Sequence, residues 1–289
     1  MLHLPVQVWV QAIANGLALG WLYVLMALGL TLILSIMGIL QLAHGEVYMI
    51  GAYVTFYCCA SFGINIYASM FISMAVMAVF GILIEKFLFR PVRAQILAPI
   101  VISLGLTLIL MSSAQVGFGL YERSLPRLAQ GSFIFFGCAV PKDRIIAVGF
   151  ALSLLLLLYF FLKKSKYGQA MVASAQSREG ALLRGIDPNL MSAMAMAIGC
   201  ALAAAGGTLG GAILMITPSM GTLPLLKGLV IIILGGMGSL LGAAIGGIFL
   251  GLIDGIVPIA FNPAVTSLAP LIIVILILLI RPQGLFGHE

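Results

Sequence analysis

Charge is the property that this sequence most lacks. Its 289 residues include 14 lysines and arginines and 8 aspartates and glutamates, so only 8% are charged, against roughly 25% in an average soluble domain. Hydrophobic residues make up 63% of the chain, and the mean hydropathy is +1.24. A soluble fold of this length could not bury so much apolar surface. The composition therefore excludes a soluble enzyme, a nucleic-acid-binding protein and a disordered chain.

Cysteine and histidine are also scarce, with four and three residues. Their spacing suits neither a disulfide framework nor a metal site, so we interpret the cysteines as small apolar residues in helices. No HExxH, GxSxG, CxxC or Walker A pattern occurs. We therefore expect no metal, no cofactor and no ATP-binding P-loop in this chain. The residues concerned are Cys58, Cys59, Cys138, Cys200, His3, His44 and His288.

Long charge-free blocks are what the sequence has instead. A bilayer core takes about 20 consecutive apolar residues per helix, so most blocks hold one span and several could hold two. Alternating segments of about ten residues, typical of membrane barrels, do not occur. We predict an all-α polytopic membrane protein. The blocks cover residues 47–84, 94–121, 145–162, 188–226, 228–253 and 255–280.

The blocks predict a bundle of about eight or nine transmembrane helices. The Gly-rich region 225–259 is long enough for two shorter spans, and the first 60 residues could contain a broken or partly re-entrant helix. No cleaved signal peptide is expected, because no basic segment precedes the first apolar stretch. The apolar regions run over residues 8–37, 46–61, 67–88, 96–117, 145–162, 190–216, 225–259 and 265–280.

Basic loops predict the orientation, since cytoplasmic loops are enriched in lysine and arginine. Segment 163–188 is the richest, and we place it in the cytoplasm together with the basic loop 86–93. The loop at about 119–143 is then external. The N-terminus is outside if three spans precede loop 86–93, and inside if the first 60 residues cross twice.

Glycine repeats predict close helix contacts, because residues four apart share a helix face and glycine lets another backbone approach. Two such series occur, and ordinary membrane helix packing explains them as well as a translocation core does. They are Gly238, Gly242 and Gly246, followed by Gly247, Gly251 and Gly255. The hexapeptide GLTLIL also occurs twice, at residues 29–34 and 105–110. Its flanks do not match, so we infer no internal repeat.

A few polar residues interrupt the apolar blocks. Gln41, His44 and Glu46 lie where a broken helix could line a substrate path. A capped helix start near the interface is an equally good interpretation. We interpret Lys227 as reaching toward the outer interface through its long stem. Asp254 lies either near that interface or toward the bundle.

The cytoplasmic segment 163–188 predicts a short helix over residues 170–185. Its small residues and its opposite charges suit docking to a protein better than lying on a membrane surface, which would call for a wide apolar face. The candidate contact residues are Ala175, Arg178, Glu179, Ala181, Leu182 and Gly185.

Several motifs resemble the high-affinity branched-chain amino-acid permease family, of the LivH type. Glu179-Gly180-Ala181 with Gly185 resembles the EAA loop of ATP-binding-cassette importer permeases, with Gly180 in place of the first alanine. Residues 39–53, ILQLAHGEVYMIGAY, resemble the family's N-terminal signature, with glutamine where asparagine is usual. Further likeness lies in Lys227 with the glycine-rich 234–247 and in RPQGLF at 281–286.

The resemblance implies one transmembrane permease domain over residues 1–289, in a bacterial inner membrane, acting as a subunit of an ABC importer and not as an enzyme. Its implied partners are a second homologous permease subunit, two cytoplasmic ATP-binding subunits that use ATP and Mg²⁺, and a periplasmic substrate-binding protein. The candidate contact residues would then couple the chain to an ATP-binding subunit.

The implied substrates are leucine, isoleucine and valine or related small amino acids. The same architecture also serves urea, short amides and aromatic acids. An ion-coupled secondary transporter is a weaker alternative, because Glu46 and Asp254 are isolated instead of paired in two matching halves. An intramembrane enzyme is disfavoured, since no reactive pair occurs.

Overall fold

The computed structural model describes residues 6–260, except 94, 96, 136, 137 and 237, together with the isolated residues 272 and 279. The predicted last span at 265–280 and the match at 281–286 lie outside the described residues. Helices dominate the rest, as predicted for an all-α membrane protein.

Ten α-helices and one hairpin follow each other along the described chain. A π-helical turn, Glu85–Phe89, extends α3. The helices are α1 Val6–Met37, α2 His44–Phe62, α3 Ile66–Ile84, α4 Ala98–Phe118, α5 Lys142–Lys164, α6 Lys166–Gln176, α7 Arg178–Leu183, α8 Pro188–Ile213, α9 Thr222–Gly235 and α10 Leu240–Ala260. The hairpin strands are β1 Ser132–Phe135 and β2 Cys138–Pro141, paired antiparallel with Ser132 opposite Pro141.

Six described helices are long and apolar enough to cross a membrane: α1, α3 with its π-helical turn, α4, α5, α8 and α10. Helix α9 is a shorter apolar helix of 14 residues, and α2 has 19 residues. With the span predicted beyond residue 260, these helices agree with the predicted eight or nine.

Helices α1 and α8 form the centre of the bundle. Of the most apolar stretch of each, 78% and 72% is buried, against 17% in α4 and 28% in α5. Helix α1 packs against five of the nine other described helices, which are α5, α6, α8, α9 and α10. The remaining spans surround this centre and turn large apolar side chains outward.

Glycine sets a close helix crossing that joins α1 to α10. A Cβ atom on Gly251 would overlap the backbone of Gly20, and one on Gly255 would overlap that of Ala12 and Gly16. On the same face, Gly247 lies against Val24. The second predicted series therefore packs on α1.

The first series faces α9 only in part. Gly242 lies against the backbone of Gly235, and Gly246 lies against Leu234 and Ile231. The prediction that Gly238 lies on a helix face is wrong. Helix α10 begins at Leu240, and Gly238 precedes it in a left-handed conformation with φ of 93°. It belongs to the turn between α9 and α10 and not to a helix face.

Helices α2 and α9 both begin inside the bundle. The side chain of His44, at the start of α2, lies against Gly29 of α1, about 12 Å before the end of that helix at 1.5 Å per residue. The start of α9 meets it there, since the backbones of Gly45 and Gly221 are in contact. The first 60 residues thus contain a re-entrant connection, as the broken-helix alternative proposed.

Contacts also define the two ends of the bundle. The thiol of Cys138 in β2 donates to the Gln7 carbonyl at 2.9 Å, and the Tyr67 hydroxyl donates to the Leu128 carbonyl at 2.7 Å. The starts of α1 and α3 therefore lie beside the hairpin segment. Helices α6 and α7 follow the far end of α5. The start of α1 is thus at the end opposite α6 and α7.

Candidate functional site

The segment between α5 and α8 forms two short helices instead of the single helix predicted. Ser177 separates them with extended backbone angles, φ of −155° and ψ of 112°. Its hydroxyl accepts a hydrogen bond from the amide of Gly180 at 3.1 Å and so caps α7. Gly185, at φ of 76°, follows α7. Serine prefers such a cap to a helix interior, which explains why the predicted helix breaks there.

This break changes how the candidate coupling residues are arranged. Ala175 lies at the end of α6, whereas Arg178, Glu179 and Leu182 lie on α7, so they do not share one helix face. These four residues and Gly185 are exposed, but Ala181 is only 2% exposed and packs inside the chain.

Two adjacent leucines make α7 unusual for a polar segment. Leu182 is 56% exposed and Leu183 is 90% exposed. Nothing in the sequence pattern singles out Leu183, since its exposure depends on the break at Ser177. Exposed apolar side chains beside the charges of Arg178 and Glu179 are typical of a surface that contacts another protein.

The π-helical turn after α3 ties the second basic loop to the same end of the bundle. Buried Glu85 accepts a hydrogen bond from Arg90 at 2.6 Å and lies 3.8 Å from Arg93. Arg93 donates in turn to Asn189 at the start of α8. The hydrogen bond to Glu85 raises the pKa of Arg90, whereas burial lowers the pKa of Arg93. The two basic loops therefore lie at one end of the bundle, as predicted.

The three candidate path residues lie at the re-entrant connection before and in α2. Gln41 and His44 are fully buried and Glu46 is 2% exposed. Among the described residues, both polar atoms of Gln41 and of His44 and the Oε2 atom of Glu46 lack a hydrogen-bond partner. An unpaired buried polar group costs about 1–3 kcal/mol. The connection thus concentrates groups that water or a passing solute could satisfy.

A partly buried charge cluster lies elsewhere, between α1, α9 and α10. Lys227 forms an ion pair with Asp254, and the Tyr23 hydroxyl donates to Oδ2 of Asp254 at 2.8 Å. Nζ of Lys227 also donates to the Tyr23 hydroxyl at 3.2 Å and lies 4.9 Å from the centre of its ring.

This cluster overturns the prediction that Lys227 reaches the outer interface, because its ammonium group turns to Asp254 instead. It also decides between the two interpretations of Asp254, whose side chain is 7% exposed and faces the bundle. A usable signal was present: Lys227 and Asp254 carry opposite charges at the two ends of a charge-free block.

Within the described part of the chain, no three His, Cys, Asp or Glu side chains lie close enough to hold a metal ion. Of the two polar clusters above, the first has buried polar atoms without a partner among the described residues, and the second is paired internally.

Comparison with known proteins shows the family of this chain. The family described as branched-chain amino acid transport system / permease component matches residues 12–280. The chain belongs to this permease family. The match covers nearly the whole bundle, including α6, α7 and both polar clusters.

Relatives of this permease support the assignment along its full length. It is 31% identical to the high-affinity branched-chain amino acid transport system permease protein BraD of Pseudomonas aeruginosa, and equally to LivH of Escherichia coli K12. Each alignment covers 97% of this chain and 96% of the relative. The probable LivH of Methanocaldococcus jannaschii is 29% identical over 93% of this chain and 89% of its own. No solved structure matches the permease.

Proposed function

We propose that this permease is a membrane-spanning subunit of an ATP-driven ABC importer in a bacterial inner membrane. On this proposal it translocates branched-chain amino acids that a periplasmic binding protein delivers. The observation that carries the proposal is the full-length match, at 31% identity over 97% of the chain, to permeases named for that transport.

The charge distribution supports an orientation with α6 and α7 in the cytoplasm. Eight of the lysines and arginines lie at the α6–α7 end, between residues 86 and 93 and between 163 and 184. Four lie at the hairpin end, between residues 123 and 144. Because cytoplasmic loops carry the excess of positive charge, the hairpin segment and the start of α1 face outward.

Exposed α7 supports docking to a cytoplasmic ATP-binding subunit. Its surface combines Arg178 and Glu179 with the exposed Leu182 and Leu183, which suits a groove with both charged and apolar walls. ATP and Mg²⁺ would be used by that partner, since this sequence has no P-loop. On this proposal the chain is a single permease domain without enzymatic activity.

Contacts of α6 support a route from the ATP-binding subunit to the bundle. Val172, Ala175 and Gln176 border a cavity of about 560 Å³ whose other walls include Ile36 at the end of α1 and Leu240 at the start of α10. A shift of α6 would therefore reach both α1 and α10. Docking must stabilise either the outward-open or the inward-open state of the bundle more than the other. Contacts of equal strength in both states would not change the equilibrium between them.

Reconstitution tests the proposal. The permease is co-expressed with the second permease, the ATP-binding subunits and the binding protein of its operon, and labelled leucine, isoleucine and valine are offered to proteoliposomes. We expect uptake that requires ATP. Uptake of urea, short amides or aromatic acids instead would keep the importer and replace the substrate. Uptake by this chain alone, driven by an ion gradient, would contradict the importer.

A variant pair tests the docking role of α7. Glu179→Lys reverses an exposed charge on α7 and is expected to lower both co-purification of the ATP-binding subunit and uptake. Glu122→Lys makes the same change in the hairpin segment at the opposite end and is the matched control. If Glu179→Lys left assembly and uptake intact, Glu179 would have no part in docking.

A further inference from the structure

A cavity with four polar side chains in a mostly apolar lining opens beside the charge cluster, between α1 and α10. Its volume is about 580 Å³, within the roughly 300–1,000 Å³ of small-molecule sites. Asp254 and Pro258 of α10 line one wall, and Cys138 of β2 lies at its edge. Because Cys138 belongs to the hairpin, the cavity opens at the end of the bundle opposite α6 and α7.

The α1 wall of this cavity is a polar stripe in an otherwise apolar helix. Gln7, Gln11 and Asn15 follow each other at four-residue spacing and all line the cavity. The Gln11 amide lies 3.5 Å from the Asn15 carbonyl oxygen, a long contact that leaves both groups free to bind elsewhere. Polar stripes on membrane helices face water or a transported solute.

Asp254 at the cavity wall forms an ion pair with Lys227, which is not among the residues that line the cavity. The side chain of Asp254 is 7% exposed and that of Lys227 is 21% exposed. Both Lys227 and Tyr23 donate to the same carboxylate oxygen, Oδ2 of Asp254. The other carboxylate oxygen of Asp254 has no hydrogen-bond donor among the described residues.

We propose that this cavity binds the zwitterionic end of the transported amino acid, with Asp254 taking the ammonium group and Lys227 the carboxylate. The inference rests on the proposed function and adds the site within the permease and the feature of the solute that it recognises. The amides of the α1 stripe complete the polar wall at the cavity mouth.

Charge balance favours this occupant over an uncharged one. An unpaired charge inside a membrane is costly, but a zwitterion exchanges one internal ion pair for two and leaves the net charge at zero. Urea or a short amide offers no charge to either group and would leave the Lys227–Asp254 pair intact. The cluster therefore selects for amino acids.

A double variant tests the proposal without leaving a buried charge unpaired. Lys227→Met with Asp254→Asn removes both charges, so the bundle is expected to fold and to co-purify with its partners. Uptake of leucine by the reconstituted importer is expected to fall about tenfold or more, since charge-assisted hydrogen bonds to the solute are lost.

A charge swap separates binding from a merely structural ion pair. Lys227→Asp with Asp254→Lys keeps the pair but places the cation at the cavity wall, so we expect uptake to stay low. Uptake at the wild-type rate in the swapped variant would show that the pair only holds α9 to α10, and would overturn the proposal.

Thiol labelling gives a readout of occupancy. In a chain with all four cysteines replaced by alanine, Gln11→Cys is expected to react with a water-soluble thiol reagent several-fold more slowly in millimolar leucine. Tyr121→Cys is the control, because Tyr121 is 82% exposed. It should react at the same rate with and without leucine. If leucine left the labelling rate of Gln11→Cys unchanged while the wild-type complex still took up leucine, the inference would be overturned and the proposed function would stand. Absence of ATP-dependent amino acid uptake by the wild-type complex would overturn the proposed function as well.

Discussion

The hexapeptide GLTLIL occurs in two helices, one of which is buried and the other largely exposed. In α1, at residues 29–34, its first five residues are buried. In α4, at residues 105–110, Leu108 is 67% exposed and Ile109 is 63% exposed. Identical local sequence therefore forms the centre of the bundle in one place and its outer surface in the other.

Apolarity does not separate inner from outer helices in this permease. Helix α8 is the least apolar of the six candidate spans and one of the two most buried, whereas α5 is the most apolar and mostly unburied. Lipid tails accept large apolar side chains as readily as a protein interior does, so the apolarity of a helix does not decide whether it is buried. In α8 the buried run 202–211 is rich in alanine and glycine.

The largest expected effect contrasts Ile33→Ala with Ile109→Ala, the same position of the two hexapeptides. Ile33 is fully buried, so its truncation leaves a cavity and is expected to lower the free energy of unfolding by about 2–5 kcal/mol. Ile109→Ala is expected to change it by less than about 0.5 kcal/mol. Unfolding in mixed SDS micelles, followed by tryptophan fluorescence, measures both. Equal losses would show that α4 is buried as deeply as α1.

A smaller contrast comes from Gly29→Ala and Gly105→Ala. A Cβ on Gly29 would come within 2.6 Å of His44 and 2.8 Å of the Gly199 carbonyl, whereas one on Gly105 would meet no described residue within 4 Å. Gly29→Ala is expected to cost about 1–3 kcal/mol by overpacking. Gly105→Ala is expected to gain about 0.5–1 kcal/mol in helix propensity. The same unfolding assay decides, and a stabilised Gly29→Ala would refute the contact with α2.

The smallest expected contrast concerns the threonines of the two hexapeptides, where the changes in the free energy of unfolding are expected to have opposite signs. Among the described residues the buried Thr31 hydroxyl has no hydrogen-bond partner, whereas the Thr107 hydroxyl donates to the Ser103 carbonyl at 3.0 Å. Thr31→Val is expected to stabilise the protein by about 1 kcal/mol, because it removes an unsatisfied group. Thr107→Val is expected to destabilise it by about 0.5 kcal/mol. A destabilised Thr31→Val would instead point to a bound water at this hydroxyl.

Much of the fold could be predicted, because the lengths of apolar runs are set by bilayer thickness. The bounds of α3, α4 and α5 lie within a few residues of the predicted ones. Both basic loops lie at one end of the bundle, and Gly251 and Gly255 lie at a close crossing. These features depend on residues that are close in sequence, so they can be recognised without the tertiary structure.

The candidate site was less accessible to prediction. The break at Ser177 depends on a choice between a helix interior and a cap, which the flanking residues leave open. The pairing of Lys227 with Asp254 and Tyr23 joins three helices. Lys227 and Asp254 are 27 residues apart in the sequence, so their pairing depends on how α9 packs against α10.

The sequence by itself determined that this protein lives in a membrane, where most of its apolar spans lie and which loops carry its charge. Those properties follow from free energies of transfer, which add up residue by residue. Only the tertiary structure decided which GLTLIL is central, where α2 and α9 begin and which charges meet. Those depend on helix contacts between distant residues, and a helix that is apolar on all sides carries no mark of the side on which its neighbours lie.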